Sequence, residues 1–337
     1  MQILVTGGTG YIGSHAVIEL LAAGHDVVVV DNFSNSSHRS LAALRNVANR
    51  DFAFCQGDVR DAVCLDRMFE RHTFDAVMHF AGVKAVGESV DLPMKYYDNN
   101  VNGTLRLLEC MRAHSVNTFV FSSSCTVYGE PALVPVAEDC PTGAVNPYGR
   151  SKLTVEHILR DLCAAEPGWR VSVLRYFNPI GAHGSGELGE DPQGVPNNLL
   201  PYISQVAVGR MPHVNVYGND YPTRDGTGVR DYIHVVDLAR GHLKALEFLQ
   251  NAQGLTVHNL GTGRGHSVLE VIAAFEAASG RPIPYQVVPR RPGDAAEVYA
   301  DPARARAELG WVARYDIDRM CADAWRWQST HPQGFAG

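Results

Sequence analysis

The stretch Ile3-Leu4-Val5-Thr6-Gly7-Gly8-Thr9-Gly10-Tyr11-Ile12-Gly13 decides the fold. Its apolar start reads as a buried strand and its glycine-rich end opens a helix. Gly7, Gly10 and Gly13 sit three apart, and Gly8-x-Gly10-x-x-Gly13 also fits the dinucleotide pattern. Glycine is required there for a tight turn, for close approach of backbone to a pyrophosphate, and for helix–strand contact. The free N–H groups of the helix start then face the phosphates. The next strand runs through Val27-Val28-Val29-Val30 into Asp31. A carboxylate at that point accepts from both ribose hydroxyls and repels a 2′-phosphate, which favours NAD over NADP.

Outward from this loop, short Val- and Phe-rich runs over 3–6, 26–30, 52–55, 76–80, 118–122 and 171–175 read as strands buried on both faces. Helical patterns lie between and after them: Val101, Leu105 and Leu108, then Leu199, Ile203 and Val206, then Val268, Ile272 and Phe275. Alternation of this kind predicts an α/β fold, a Rossmann-type doubly wound parallel sheet with right-handed crossovers. The chain has 337 residues, enough for about two domains. We expect an NAD-binding domain over 1–177 and a smaller C-terminal α/β substrate domain over 178–337, with part of 232–262 returning to the first.

The net charge of −7 argues against a nucleic-acid partner, which calls for a basic surface. No apolar run is long enough for a membrane span, and the N-terminus has no charged leader. Seven cysteines, scattered and without Cys-x-x-Cys, read as reduced thiols of a cytoplasmic protein. No His-x-x-x-His pair has metal-ligand spacing, so no catalytic metal is expected.

Tyr148-Gly149-Arg150-Ser151-Lys152 places a phenol and an ammonium on one helix face. A nearby ammonium, together with the positive nicotinamide ring, is expected to lower the phenol pKa toward neutrality. Ahead of it, a strand ends in Ser122-Ser123-Ser124, at the sheet edge where ligands sit. Asp58 can meet the adenine edge or cap the helix that follows. Phe80-Ala81-Gly82 ends another strand with residues small enough for the cofactor to lie against backbone.

These residues carry a resemblance. The chain resembles the extended short-chain dehydrogenases/reductases, and within them the UDP-galactose 4-epimerases. The likeness extends beyond the glycine loop through 79–89, 96–101, Arg175-Tyr176-Phe177-Asn178-Pro179, 191–199 and 225–234. It implies Tyr148 as the acid/base at carbon 4 of a UDP-sugar, with hydride passing to bound NAD and returning to the other face of a 4-keto sugar. Ser124 would hold the reacting oxygen, and Lys152 would tune Tyr148 and touch the nicotinamide ribose. The implied cofactor site joins Gly7, Gly10, Tyr11, Ile12, Gly13, Asp31, Asn32, Asn35, Asp58, Val59, Phe80, Ala81, Lys84, Asn99, Ser122 and Phe177. The implied UDP-sugar site joins Lys84, Asn178, Asn198, Leu199, Val216, Tyr217, Arg230, Arg291, Asp294 and Val298. Guanidinium forks suit a diphosphate, the alternative for Arg230 and Arg291 being a surface ion pair. Tyr217 could stack on uracil or belong to the core. The family also implies a homodimer, built from helices near 93–113 and 147–165.

One departure stands at Val298, where the family's bulky tyrosine goes with rejection of N-acetylated sugars. Valine leaves room for an acetamido group unless Tyr299 or the loop fills the gap. Dehydratases of the same fold carry an Asp-Glu pair after the Ser/Thr. Here Ser124 is followed by Cys125-Thr126-Val127-Tyr128, with no carboxylate. A non-catalytic NAD sensor would be expected to lose Tyr148 or Lys152, and both are present.

Overall fold

The computed structural model describes residues 1–48, 50–192, 194–291 and 293–336. Gln193, inside one of the runs that carry the resemblance, lies outside the described residues. In chain order, β1 (Gln2–Thr6) leads to α1 (Tyr11–Ala22), β2 (Asp26–Asp31) to α2 (His38–Ala48), and β3 (Ala53–Gln56) to α3 (Ala62–Arg71). β4 (Ala76–His79) leads to α4 (Val86–Asp91), α5 (Pro93–Tyr96), a π-helical turn over Tyr97–Asn102, and α6 (Gly103–Ala113). β5 (Thr118–Ser122), α7 (Pro147–Ala165) and β6 (Arg170–Tyr176) complete the regular part.

These six strands, with a seventh from later in the chain, form one sheet. Alternate residues of each strand feed opposite faces, as the pleat requires. Ile3, Val5, Val27 and Val29 enter the core under α1 and α2. Leu4, Val28 and Val30 enter the core with Leu65, Met68, Leu107 and Met111 of α3 and α6. Each such side chain, removed from water, contributes roughly 1.5–3 kcal/mol. That two-sided burial is why these strands read as continuous apolar runs and not as alternating ones.

The second half adds β7 (Asn178–Ile180), α8 (Leu199–Ala207), β8 (Val214–Tyr217), β9 (Val229–His234), α9 (Val235–Leu249) and β10 (Gly254–Leu260). It ends with β11 (Gly265–Ser267), α10 (Val268–Ser279), β12 (Tyr285–Val288), β13 (Glu297–Val298), α11 (Ala303–Leu309) and α12 (Ile317–Thr330). β10 pairs in parallel with β6, giving the large sheet the order β10-β6-β5-β4-β1-β2-β3. β9 is the centre of a smaller sheet, flanked by β11 and β13 and paired with β7, while β8 and β12 form a separate ribbon. Ile203, Val206, Ile272, Phe275 and Met320 close a core of their own beneath these pieces.

One helical stripe differs from the expected one. The π-helical turn inserts an extra residue per turn ahead of α6 and changes the phase of the pattern. The buried face is therefore Thr104, Leu107, Leu108 and Met111, and Leu105 faces outward at 37% exposure.

Candidate active site

In the large sheet the connections turn in opposite directions on either side of β1 and β4. A crevice opens between their C-terminal ends, the place where doubly wound folds bind ligands. The glycines there are set by contact. Gly7 has φ +66°, and a Cβ on it would meet Ala81 N at 2.7 Å; a Cβ on Gly13 would meet Gly7 O at 2.3 Å. The loop after β1 and the loop after β4 thus touch backbone to backbone. A pocket beside the start of α1 is lined by Thr9, Gly10, Tyr11, Asn35 and Lys84, and closed on its far side by residues 188–192 and Phe335.

Asp31 ends β2 against this loop. Its Oδ1 accepts from Phe33 N and Ser36 Oγ, both at 2.9 Å, and its Oδ2 accepts from Thr9 N at 3.1 Å. Each carboxylate oxygen has about two acceptor positions, so Oδ2 keeps one for a ribose hydroxyl. Asp58 is not a helix cap, because Asp61 caps α3 by accepting from Val63 N and Cys64 N. Arg60 grips Asp58 through Nε at 2.9 Å and Nη2 at 2.7 Å, and Asn32 Nδ2 donates to it at 2.9 Å. Those donors hold the Asp58 carboxyl well below the usual carboxylate range. Val59 is buried beside Gly103.

Asn146 caps α7 by accepting from Gly149 N, with Pro147 fixing the first turn. This places Tyr148 at the helix start, buried, with its ring edge-to-face against Tyr96 at 6.4 Å. One turn on, Lys152 Nζ donates to Ser122 O at 2.9 Å and lies 5.0 Å from the centre of the Phe121 ring. Ser122 Oγ donates to Tyr176 OH at 3.0 Å. Ser124 Oγ accepts from both Thr126 N (3.2 Å) and Thr126 Oγ1 (2.9 Å). With both lone pairs engaged, its own proton is the group left to offer, and it acts to lower the Tyr148 pKa against burial.

Among the protein's own groups burial outweighs the rest at Tyr148, and the nicotinamide ring of the expected pairing is not part of that balance. Burial pushes it well above the ordinary value, Tyr176 adds to the rise, and the Ser124 hydroxyl opposes it. Burial likewise pulls Lys152 down to about 8, against an upward pull from Glu156. Desolvation outweighs the Glu156 attraction, and the ammonium is bonded to a carbonyl of β5 and not to the phenol.

The sugar-nucleotide candidates gather around β8, β9 and β13. Arg230 pairs with Asp294 and donates to Val229 O at 2.8 Å. Arg291 lies 3.7 Å above the Tyr217 ring, so Tyr217 is a cation-stacked rim residue and not a core tyrosine. Val216 is fully buried beneath it. Val298 belongs to the buried cluster that holds Tyr128 and Phe177, with Cys125 packed against it. Tyr299 lies toward Gly265, on the other side of its strand. Asn178 and Leu199 begin β7 and α8.

A model of the GDP-mannose 4,6 dehydratase family matches residues 4–324. UDP-glucose 4-epimerase of Bacillus subtilis (strain 168) is 56% identical to the chain, over 99% of both. The crystal structure of UDP-glucose 4-epimerase from Bifidobacterium longum, in complex with NAD+ and UDP, superposes with a TM-score of 0.96 at 54% identity, covering 99% of this chain and 100% of that one. The chain belongs to the UDP-glucose 4-epimerase family. A more distant member, the UDP-Glc/GlcNAc 4-epimerase from Campylobacter jejuni, superposes with a TM-score of 0.86 at 38% identity over 98% of this chain and 99% of that one.

Within that family the dehydratase description marks shared ancestry of fold. The stretch after Ser124 offers no second acid or base: burial pushes the Cys125 thiol up to about 12. Several residues that shape the crevice escaped sequence reasoning. Asn100, one position after the expected Asn99, is the residue turned inward. Its Oδ1 accepts from Val83 N at 2.9 Å, and its Nδ2 donates to Val83 O at 3.0 Å and to Ser151 Oγ at 2.9 Å. Asn99 instead donates back to Lys95 O at 2.9 Å. Glu190, from a Gly- and Pro-rich stretch without periodicity, accepts from Lys84 Nζ at 2.8 Å and Asn198 Nδ2 at 3.3 Å. It thereby joins two expected ligand residues. Asp66, Cys110 and His114 converge as possible metal ligands, but none of them is a candidate site residue, and His114 already pairs with Asp66 at 2.8 Å.

Proposed function

We propose that the chain inverts carbon 4 of UDP-hexoses, interconverting UDP-galactose and UDP-glucose with NAD as resident cofactor. The observation that carries this reading is the Ser124 hydroxyl, its acceptor positions filled by Thr126, beside the buried Tyr148 phenol at the crevice. The residues fit the cofactor. Gly7 and Gly13 let the loop after β1 pack backbone against backbone, Gly10 lines the pocket at the start of α1, and Asp31 Oδ2 keeps an acceptor for a ribose hydroxyl. Bound there, NAD supplies a reversible hydride acceptor for the sugar. Ser124 donates to the carbon-4 oxygen and holds it. Tyr148 takes the hydroxyl proton and gives it back. Lys152 carries the positive charge beside them, which is worth most where burial excludes water. Arg230 and Arg291 suit the diphosphate, leaving the sugar free to turn about its link and present either face.

The same reading extends to three finer points. Val298 is a small side chain where the resemblance implies the sugar pocket, and Tyr299 lies toward Gly265, which supports turnover of UDP-N-acetylhexosamines as well. Met94 and Leu105, both within 93–113, are exposed apolar side chains, which supports a homodimer built on the 93–113 and 147–165 helices. The scattered, unpaired cysteines support a cytoplasmic site of action, and no described helix is long and apolar enough to cross a membrane. Domains over 1–177 and 178–337, with 232–262 contributing to the first, agree with β10 beside β6.

The purified protein, given UDP-galactose and no added cofactor, is expected to form UDP-glucose of unchanged mass. A product lighter by one water, or no product with NAD bound, would overturn the reading. UDP-N-acetylgalactosamine offered in parallel tests the wider specificity, and absence of turnover ends that part alone.

A further inference from the structure

Behind the reacting groups lies an ion pair that the epimerisation scheme does not use. Glu156, on α7 one turn after Lys152, and Arg175, on β6, are 1% and 3% exposed. Arg175 Nη2 meets Glu156 Oε2 at 2.6 Å, and Nε meets both carboxylate oxygens at 3.1 and 3.2 Å. Ser123 Oγ donates to Glu156 Oε1 at 2.5 Å. Arg175 Nη1 continues to Tyr128 OH at 3.0 Å and Glu138 O at 3.2 Å. Tyr128 OH donates to Asn259 Oδ1 at 2.7 Å. A pair this deeply buried is poor evidence of stabilisation, because desolvation offsets its attraction. Its placement is therefore the informative feature.

Ser123 stands between the two residues that act. Ser122 O receives the Lys152 ammonium, and Ser124 Oγ faces Tyr148. One carboxylate thus pins the turn carrying both and sits one helical turn from the ammonium. Taking the proposed epimerisation as its premise, we infer that Glu156 is a positioning residue for it, fixing the Ser122–Ser124 turn and keeping Lys152 charged. The other titratable groups facing Lys152 are neutral near pH 8. Burial drives His79 of β4 down to about 3, Tyr176 of β6 up to about 12, and Tyr148 and Tyr96 higher still. Arg175 is spent on Glu156. The negative charge that holds the Lys152 proton is that of Glu156.

The test is the pH profile of kcat for UDP-galactose in the NAD-loaded enzyme. In Glu156→Gln the alkaline limb should move about one pH unit lower, a roughly tenfold loss of rate above it, with KM and NAD content nearly unchanged. Ser123→Ala keeps the charge and cuts only the hydroxyl link. It should lower kcat several-fold with the limb in place. Glu156→Gln leaves Arg175 buried without its partner and could fail to fold. The double variant Glu156→Leu/Arg175→Met removes both charges and carries the same expected shift. A folded, NAD-bearing variant without the Glu156 charge whose limb coincides with that of the unaltered enzyme would overturn the inference. Failure of the unaltered enzyme to epimerise UDP-galactose would instead overturn the function it rests on, a result read before any variant is compared.

Discussion

Lowering the pH from 7 to 5 should destabilise the fold before it titrates most carboxylates, and three histidines set the size of the effect. His15 and His79 are driven by burial to about 3 and His242 to about 4. The unfolded chain binds these protons near pH 6.5. A depressed folded pKa means stability is intact above about 6.5 and drains as pH falls toward the folded value. At pH 5 each residue costs about 2 kcal/mol, and the three together about 6 kcal/mol, against a total stability of roughly 5–15 kcal/mol. The geometry explains why they resist protonation. His15 Nε2 and His242 Nε2 are buried without a partner. Thr104 Oγ1 donates to Asn100 O at 2.6 Å, so its 2.9 Å contact with His79 Nε2 makes that nitrogen the donor. His79 Nδ1 then accepts from Thr6 Oγ1 at 2.7 Å. A second ring proton would confront the Thr6 hydroxyl hydrogen, beneath the loop where Thr6 receives Ala81 N at 3.2 Å. Part of the loss is returned by Glu138, Asp191 and Asp231, whose carboxyls burial raises and which gain by protonation as pH falls. Urea denaturation at pH 7, 6 and 5 measures the net change. We expect a fall of several kcal/mol, with His79→Gln flattening the curve. Equal midpoints at pH 7 and 5 would refute the reasoning.

Gly13→Ala forces a Cβ to within 2.3 Å of Gly7 O. It should cost about 1–3 kcal/mol as overpacking and strip NAD from the purified protein, read as the 260/280 nm absorbance ratio. Lys152→Met should lower kcat about 100-fold or more while leaving circular dichroism unchanged; a near-normal rate contradicts its role. Val298→Tyr adds a ring to the cluster that holds Cys125 and Phe177 and should remove turnover of UDP-N-acetylgalactosamine while sparing UDP-galactose, as measured by competing the two substrates. Met94→Glu, at a side chain 77% exposed, should shift the sedimentation of the protein toward monomer.

The sheet was legible because its inner strands are buried on both faces and punctuated by glycine. Runs such as 26–30 and 118–122 admit few other structures, and the loop 7–13 fixes where the first crossover starts. The phase of α6 was not legible, since nothing in Tyr97-Asp98-Asn99-Asn100-Val101 announces a π-helical turn. That turn is also what points Asn100 inward and leaves Asn99 on its own helix. Glu190 was hidden for a different reason. Its segment has no period, and its two partners, Lys84 and Asn198, come from opposite sides of the crevice. The Tyr148-x-x-x-Lys152 spacing put both side chains on one face but could not rank burial against charge. The lysine turned out to be bound to a strand carbonyl, and that is a tertiary fact.

Burial shifts Tyr148 and Lys152 in opposite directions, yet for one reason: each is pushed toward its neutral form. A pair left to burial alone would rest as phenol and amine, with no charge to stabilise an alkoxide or phenolate. The site works against this from behind. Glu156 favours the ammonium, and Ser124, with Thr126 on its lone pairs, presents a donor that favours the phenolate. Both corrections pass through one serine turn, Ser122-Ser123-Ser124, so a single displacement there would loosen the proton acceptor and its counter-charge together. Three hydroxyls at the end of β5 are therefore less a polar turn than the part that keeps two mutually unfavourable ionisations within reach at the same pH.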